Sequence, residues 1–250
     1  MTAFPPSLST AIDVSSPPAA LAESAGVMRF DRTDEDRAGR TRAIARRYGV
    51  DILQDVELLT LWLSRAGVED PGAVAEAVLA RFGSLTAVLA ADRAELLRHL
   101  DEDAVLDLKL AREAAIRVAA AVLPGRCLLT TSGAVQAYLR SCMAGLPREE
   151  FWVLFLDRAN QLLLSERMGQ GTVDHAPVYP REVLRRALEI GASAMILAHN
   201  HPSGDPSPSR PDLDMTKSIV QAAGALGISV WDHMIVGRDK VLSLKGEGLM

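Results

Sequence analysis

The stretch Ser193-Ala-Met-Ile-Leu-Ala-His-Asn-His-Pro-Ser-Gly-Asp-Pro-Ser-Pro-Ser-Arg-Pro-Asp212 changes character twice. Its first six residues are a short apolar run after a helical pattern, which reads as a buried strand. On a strand, residues two apart point to the same face, so His199 and His201 project side by side while Asn200 points away. A spacing of roughly 6.5–7 Å along a strand lets two imidazoles converge on one ion, with metal–nitrogen distances of about 2.0–2.1 Å. After a Pro/Ser/Gly loop, Asp212 can return as a third, oxygen ligand. Two histidines and a carboxylate, with a further position left for water, are the usual build of a catalytic zinc site, whereas structural zinc is normally closed by four protein ligands.

A plainer reading exists for each residue. Ser209-Arg-Pro-Asp212 matches a helix start, with Ser209 as N-cap, a proline in the first turn and an acid at the third position. Asp212 then has a capping role, which is compatible with ligation because the helix start fixes where it points. The histidines, read blandly, are an ordinary pair at a strand end.

Working outward, Glu149-Glu150-Phe-Trp-Val-Leu-Phe-Leu-Asp157 reads as a buried strand opened by two acids. Alternation sends Glu149 and Glu150 to opposite faces, so one of them at most can face the histidines. In Pro180-Arg-Glu-Val-Leu-Arg-Arg-Ala-Leu-Glu-Ile190 the apolar positions mark an amphipathic helix, and Glu182 suits its first turn. Asp232 and His233 follow a strand, Ile228-Ser-Val-Trp231. His233 is either a partner orienting a ligand or a satisfied core histidine. His175, in a Gly/Thr/Asp loop, receives no role.

The N-terminal half is helical in pattern. Residues 1–28 are rich in Pro, Ser and Ala and read as a disordered tail. Residues 31–47 interleave arginines with acids, as on a solvated helix face or, in a sharper reading, a nucleic-acid patch. Helical stretches follow at 55–65, 71–83, 84–91, 92–99 and 104–123, with Gly67 and Gly83 where helix C-termini fall. Pro124-Gly125 closes this half, and strand-like apolar runs are expected beyond it. The organisation is therefore a tail, a helical domain at 29–124 and an α/β domain at 125–250. With 250 residues, 48% of them hydrophobic, the chain can bury substantial cores. A net charge of −5 and a pI near 5.6 argue against coating nucleic acid by bulk electrostatics. Cys127 and Cys142 suit a reducing compartment. Without a membrane-length apolar run or a signal-peptide pattern, the cytoplasm is the expected location.

His199-x-His201-Pro202 with Ser209-x-x-Asp212 resembles the metal motif of JAMM/MPN+ zinc metalloproteases and isopeptidases. The wider string His-Asn-His-Pro-Ser-Gly-Asp-Pro-Ser-Pro-Ser-Arg is similar specifically to the bacterial RadC family (UPF0758), over roughly residues 125–250. Gly169-Gln-Gly-Thr-Val-Asp174, Tyr179-Pro-Arg-Glu182 and Trp231-Asp-His-Met-Ile-Val-Gly237 share in that likeness. The contiguous letters are unrelated to HNH nucleases, whose named residues lie far apart. The resemblance implies an α+β/α/β chain, an all-helical domain followed by a mixed-sheet JAMM/MPN domain of cytidine-deaminase-like layout. It implies Zn2+ held by His199, His201 and Asp212, and a glutamate that takes a proton from zinc-activated water. Glu149 is the first choice for that base, with Glu150 one residue away. Ser209 is the implied donor to a developing oxyanion.

Tyr48-Gly-Val-Asp-Ile-Leu-Gln-Asp-Val-Glu-Leu-Leu59 and Ala80-Arg-Phe-Gly-Ser-Leu85 resemble the helical domain of the same family, which includes a DNA-contacting helix-hairpin-helix. Here the matching stretch, residues 97–109, lacks the hairpin glycines and carries Asp101, Glu102 and Asp103, which repel phosphate. Two functions follow: a zinc metallohydrolase acting on a protein or peptide, or a DNA-repair accessory protein using the zinc fold as a platform. A deaminase lacks its Cys-x-x-Cys ligands here.

Overall fold

The computed structural model describes residues 35–123, 132–171 and 178–250, so the proposed tail, His175 and Cys127 lie outside the described residues. The described chain forms one compact unit. Its elements are α1 (Glu35–Tyr48), α2 (Asp55–Arg65), α3 (Pro71–Phe82), α4 (Leu85–Ala90), α5 (Arg93–Leu96), α6 (Glu102–Ala120), α7 (Ser132–Met143), β1 (Glu150–Leu156), β2 (Leu162–Gln170), α8 (Pro180–Ile190), β3 (Ala194–Asn200), α9 (Arg210–Ala225), β4 (Ser229–Val236) and β5 (Val241–Ser243).

The helical half is punctuated by local chemistry. Asp70 accepts from the Ala73 amide at the start of α3, which ends on Gly83 in the left-handed conformation. Ser84 caps α4 and Asp101 caps α6. The acids at 101–103 thus sit at the start of a helix, where they favour its positive end, and Glu102 pairs with Arg93 at 2.7 Å. Leu59, Leu63, Val78, Leu96 and Leu108 form the core of this half. The long α6 reaches from that core to the next, where Ile116 and Ala120 pack against α7 residues.

Among the described residues the strands build a five-stranded sheet in the order β2-β1-β3-β4-β5. Only β3 and β4 run parallel; the other neighbours are antiparallel. The sheet is therefore mixed, as the resemblance implies. Helices cover both faces. Leu154, Ile196, Ala198 and Met234 pack on α7, while Phe151, Phe155, Met195 and Leu197 pack on α8 and α9. One expectation needs correction. Ser132–Met143 is a helix, not a strand-like run, and buries Val135, Tyr138, Leu139, Cys142 and Met143 along one stripe. A second correction concerns β4, which runs through Asp232 and His233 to Val236, so both residues belong to the strand.

Gly145, in the turn before β1, has φ +73°, and a Cβ there would stand 2.9 Å from the Ala87 backbone in α4. Glycine allows this close approach of the turn to the helical half. Among the described residues, no helix is long and apolar enough to cross a membrane.

Candidate metal centre

β3 is buried at every position and delivers His199 at its C-terminal end; His201 follows immediately. His199 is wholly buried and its ring stacks on Phe151, its partner across the sheet, at 6.5 Å between centroids. His201 stays partly exposed, with 16% of its side chain accessible. Asp212 enters from the first turn of α9. The Nε2 atoms of the two histidines lie 3.0 Å apart. Asp212 Oδ1 is 3.4 Å from His199 Nε2, and Oδ2 is 3.5 Å from His201 Nε2. The three side chains can each offer a ligand atom, all within 4.8 Å of one another.

The donor set fits a cation. His201 Nδ1 lies 2.7 Å from the Asp205 carbonyl oxygen. A carbonyl only accepts, so Nδ1 carries a proton, and Nε2 is the nitrogen turned toward Asp212. Although burial opposes the charge on Asp212, contacts with His199 and His201 hold its carboxyl far below the usual carboxylate range. That carboxylate in turn raises His201 above the usual histidine value, against the effect of burial. Acceptor atoms converging on one point, with a buried negative charge among them, are a liability without a cation and an asset with one.

The capping and ligand readings of Asp212 prove compatible in geometry. Its Oδ2 accepts from the Ser209 amide at 2.7 Å and from Ser209 Oγ at 2.6 Å, while the Asp212 amide approaches Ser209 Oγ at 3.3 Å. This reciprocal cap aims the carboxylate and leaves Oδ1 on the histidine side. The Ser209 hydroxyl proton is engaged with Asp212 in this arrangement.

The loop that holds His201 is itself fixed by close packing. A Cβ on Gly237 would stand 2.5 Å from the Gly204 carbonyl oxygen and 2.8 Å from Pro206 Cδ. Only a bare backbone after β4 lets the 204–206 loop settle where Asp205 meets His201.

The two acids at the start of β1 separate. Glu150 Oε2 accepts from Trp152 Nε1 at 2.9 Å and Oε1 from Arg167 at 2.8 Å, on the face away from the histidines. Glu149 is buried, and its charge helps to raise His201. Continuing the β1/β3 register of Phe151 with His199 by two residues places Glu149 opposite His201. Asn200, which points away from the histidines as expected, has its own task. Its Oδ1 accepts from the Glu150 amide at 2.8 Å, and its Nδ2 donates to the Arg148 carbonyl at 3.0 Å. Glu182, in the first turn of α8, is exposed and pairs with Arg185 at 3.1 Å.

His233 is wholly buried, and burial holds it well below the usual histidine range, so it is neutral. Its Nε2 lies 2.8 Å from His199 Nδ1, and its Nδ1 lies 2.6 Å from Thr216 Oγ1. Of the two readings open for His233, the geometry supports the one that orients a ligand. Thr216 was not singled out from sequence.

His201 borders a cavity of about 530 Å³ between the two halves of the described unit. Pro202, Arg148 and Arg238 line it too, together with Arg98 and Asp92 of the helical half.

Residues 129–249 match a family model described as RadC-like JAB domain. The chain is also similar to a UPF0758 protein of Rhodobacter capsulatus, 46% identical over 205 residues, covering 81% of this chain and 96% of that protein.

Proposed function

The chain belongs to the RadC (UPF0758) family, and from that premise we propose that it is a zinc-dependent metallohydrolase cleaving a peptide or isopeptide bond. The observation that carries this reading is the convergence of His199, His201 and Asp212 within 4.8 Å beside an open cavity. His199, His201 and Asp212 would hold the ion. Zinc so bound supplies a Lewis acid and brings the pKa of water that it binds toward neutrality. Glu149, on the histidine side of β1, takes the proton of the attacking water and returns it to the departing nitrogen. Glu150 is committed to Arg167 and Trp152 and plays no part in proton transfer. Ser209 first holds Asp212; to donate to a developing oxyanion its hydroxyl must turn away from Oδ2.

The cavity gives a polypeptide substrate its way in, with Arg98, Arg148 and Arg238 along the route and the helical half as the opposite wall. We place the protein in the cytoplasm and take its sheet to follow the cytidine-deaminase-like layout. Glu149→Gln tests the hydrolase reading against a DNA-binding platform. The variant keeps its zinc and loses hydrolysis of a peptide or isopeptide substrate by about 10²–10⁴-fold. A Glu149→Gln protein with undiminished hydrolysis, or a wild-type chain that binds no zinc, overturns the reading. Salt-sensitive DNA binding with no hydrolysis would instead favour the platform.

A further inference from the structure

We propose that His233 and Thr216 are positioning residues that form a chain of hydrogen bonds linking two metal ligands and hold His199 in the one tautomer able to bind a cation through Nε2. The polarity of the chain starts from a group that has no choice. Thr216 Oγ1 donates to the Asp212 carbonyl oxygen at 2.6 Å, because a carbonyl only accepts. The hydroxyl has a single proton, so toward His233 it must accept, and the proton of that 2.6 Å contact sits on His233 Nδ1. His233 is wholly buried and its two ring nitrogens meet a hydroxyl and an imidazole, with no carboxylate among the described residues at hydrogen-bond distance to balance a second proton, so its Nε2 is bare and accepts across the 2.8 Å contact with His199. The proton there belongs to His199 Nδ1. In this tautomer the bare nitrogen of His199 is Nε2, the atom that faces His201 and Asp212.

The chain begins at the other ligand, because the carbonyl that sets its polarity is that of Asp212. Thr216 lies one helical turn after Asp212 on α9, so its bond to the Asp212 carbonyl is the local back-bond of a helical threonine. His233 comes from β4, beside β3, with Leu197 paired to His233 in the parallel ladder. Strand and helix thereby fix each other's ligand. Phe151 packs edge-on against His233 at 5.7 Å between centroids, limiting its rotation. A metal-ligating histidine commonly donates its second nitrogen to a fixed acceptor; here that acceptor is a second histidine, whose own state a threonine dictates.

The inference rests on the metal reading above for its purpose, not for its polarity, and its test separates the two. Full-length protein stripped of metal and labelled with 15N in its histidines is studied by long-range 1H–15N correlation, with assignments from single histidine replacements. His199 and His233 are both expected to carry their proton on Nδ1. A proton on His199 Nε2, or a doubly protonated His233, overturns the proposal. Thr216→Val removes the acceptor for His233 Nδ1 and is expected to shift the tautomers. It should also weaken Zn2+ affinity, read by competition with a chromophoric chelator, about 10–100-fold. Thr216→Ser restores both. A residue that merely fills space would change stability and leave the tautomers alone. Thr216→Val that binds Zn2+ as tightly as wild type also overturns the proposal. If the valine variant does not fold, the wild-type spectrum and the serine variant still decide. A wild-type chain that takes no Zn2+ sinks the hydrolase reading, while the tautomers stay readable in the same metal-free spectrum.

Discussion

Asn200 stands back to back with the histidine pair and holds the residue opposite them: both peptide groups flanking Glu149 are hydrogen-bonded to its buried side-chain amide. One residue of the His-Asn-His triplet thus secures the candidate base while its neighbours make the candidate metal site. Replacing Asn200 by Ala leaves the buried Glu150 amide without its partner, which costs about 1–3 kcal/mol, and frees the part-buried Arg148 carbonyl as well. The expected outcome is a clear fall in the denaturant midpoint, together with slower hydrolysis at unchanged zinc content. Asn200→Asp keeps an acceptor for the Glu150 amide but sets a carboxylate against the Arg148 carbonyl, so it should recover little. An alanine variant as stable and active as wild type contradicts this arrangement.

Ser209 has two separable contributions. As a cap it binds the Asp212 amide and carboxylate, and Ser209→Ala should cost about 1 kcal/mol of stability. Asp212 also loses a donor that aims it, so zinc affinity falls modestly. If the hydroxyl also turns to stabilise an oxyanion, kcat drops further, by about 10²–10³. Stability, zinc affinity and kcat measured on one variant divide these effects; unchanged stability would contradict the cap.

The metal-free protein should show an inverted histidine signature. Asp212 is depressed in the folded state, so its contribution is present above the ordinary carboxylate pKa and lost as pH falls through its lowered value. His201 is raised, so its contribution is full below the ordinary histidine pKa and lost as pH rises through the raised value. Between those limits the charged pair stabilises the metal-free fold. Zinc requires neutral His201, so its affinity climbs over the same alkaline step at which the metal-free protein weakens. Thermal midpoints against pH should fall across that step without Zn2+ and stay level across it with saturating Zn2+, where the bound and the unfolded imidazole are both neutral. His201→Ala should abolish the step in the metal-free protein; a step that persists there belongs to another group.

How much of this was legible follows from distance along the chain. His199, His201 and Asp212 are close in sequence, and Ser209-Arg-Pro fixes the turn that brings Asp212 back. Strand alternation could say that Glu149 and Glu150 part company, but not which one faces the histidines. That depends on the β1/β3 register and on Arg167, a residue of β2. His233 stood in an apolar run, a buried polar exception that demands a partner. Its partner became visible only once β3 and β4 were paired in parallel across α9. The helix α7 was obscured differently: its apolar residues at 135, 138, 139, 142 and 143 follow a helical period, yet an expectation of strands beyond Pro124 overrode that signal. The helices of the N-terminal half are legible because their caps are local, as at Ser84 and Gly83.

Gly237 offers the sharpest test of how the second histidine is held. A methyl group there would meet the Gly204 carbonyl oxygen at 2.5 Å and Pro206 at 2.8 Å, and neither is the yielding end of a flexible side chain. The 204–206 loop must therefore move in Gly237→Ala, and Asp205 moves with it, away from His201 Nδ1. Without that acceptor the imidazole loses both its tautomer and its aim, and zinc affinity should fall by about 10-fold or more. Gly224→Ala is the control. Gly224 lies in α9 with nothing within 4 Å of the added carbon, so alanine there should stabilise the fold by about 0.4–1 kcal/mol and leave zinc binding alone. Chelator competition and thermal unfolding on the two variants give opposite patterns if the loop holds His201. Equal zinc affinity in Gly237→Ala and wild type would mean that the Asp205 carbonyl does not hold the ligand.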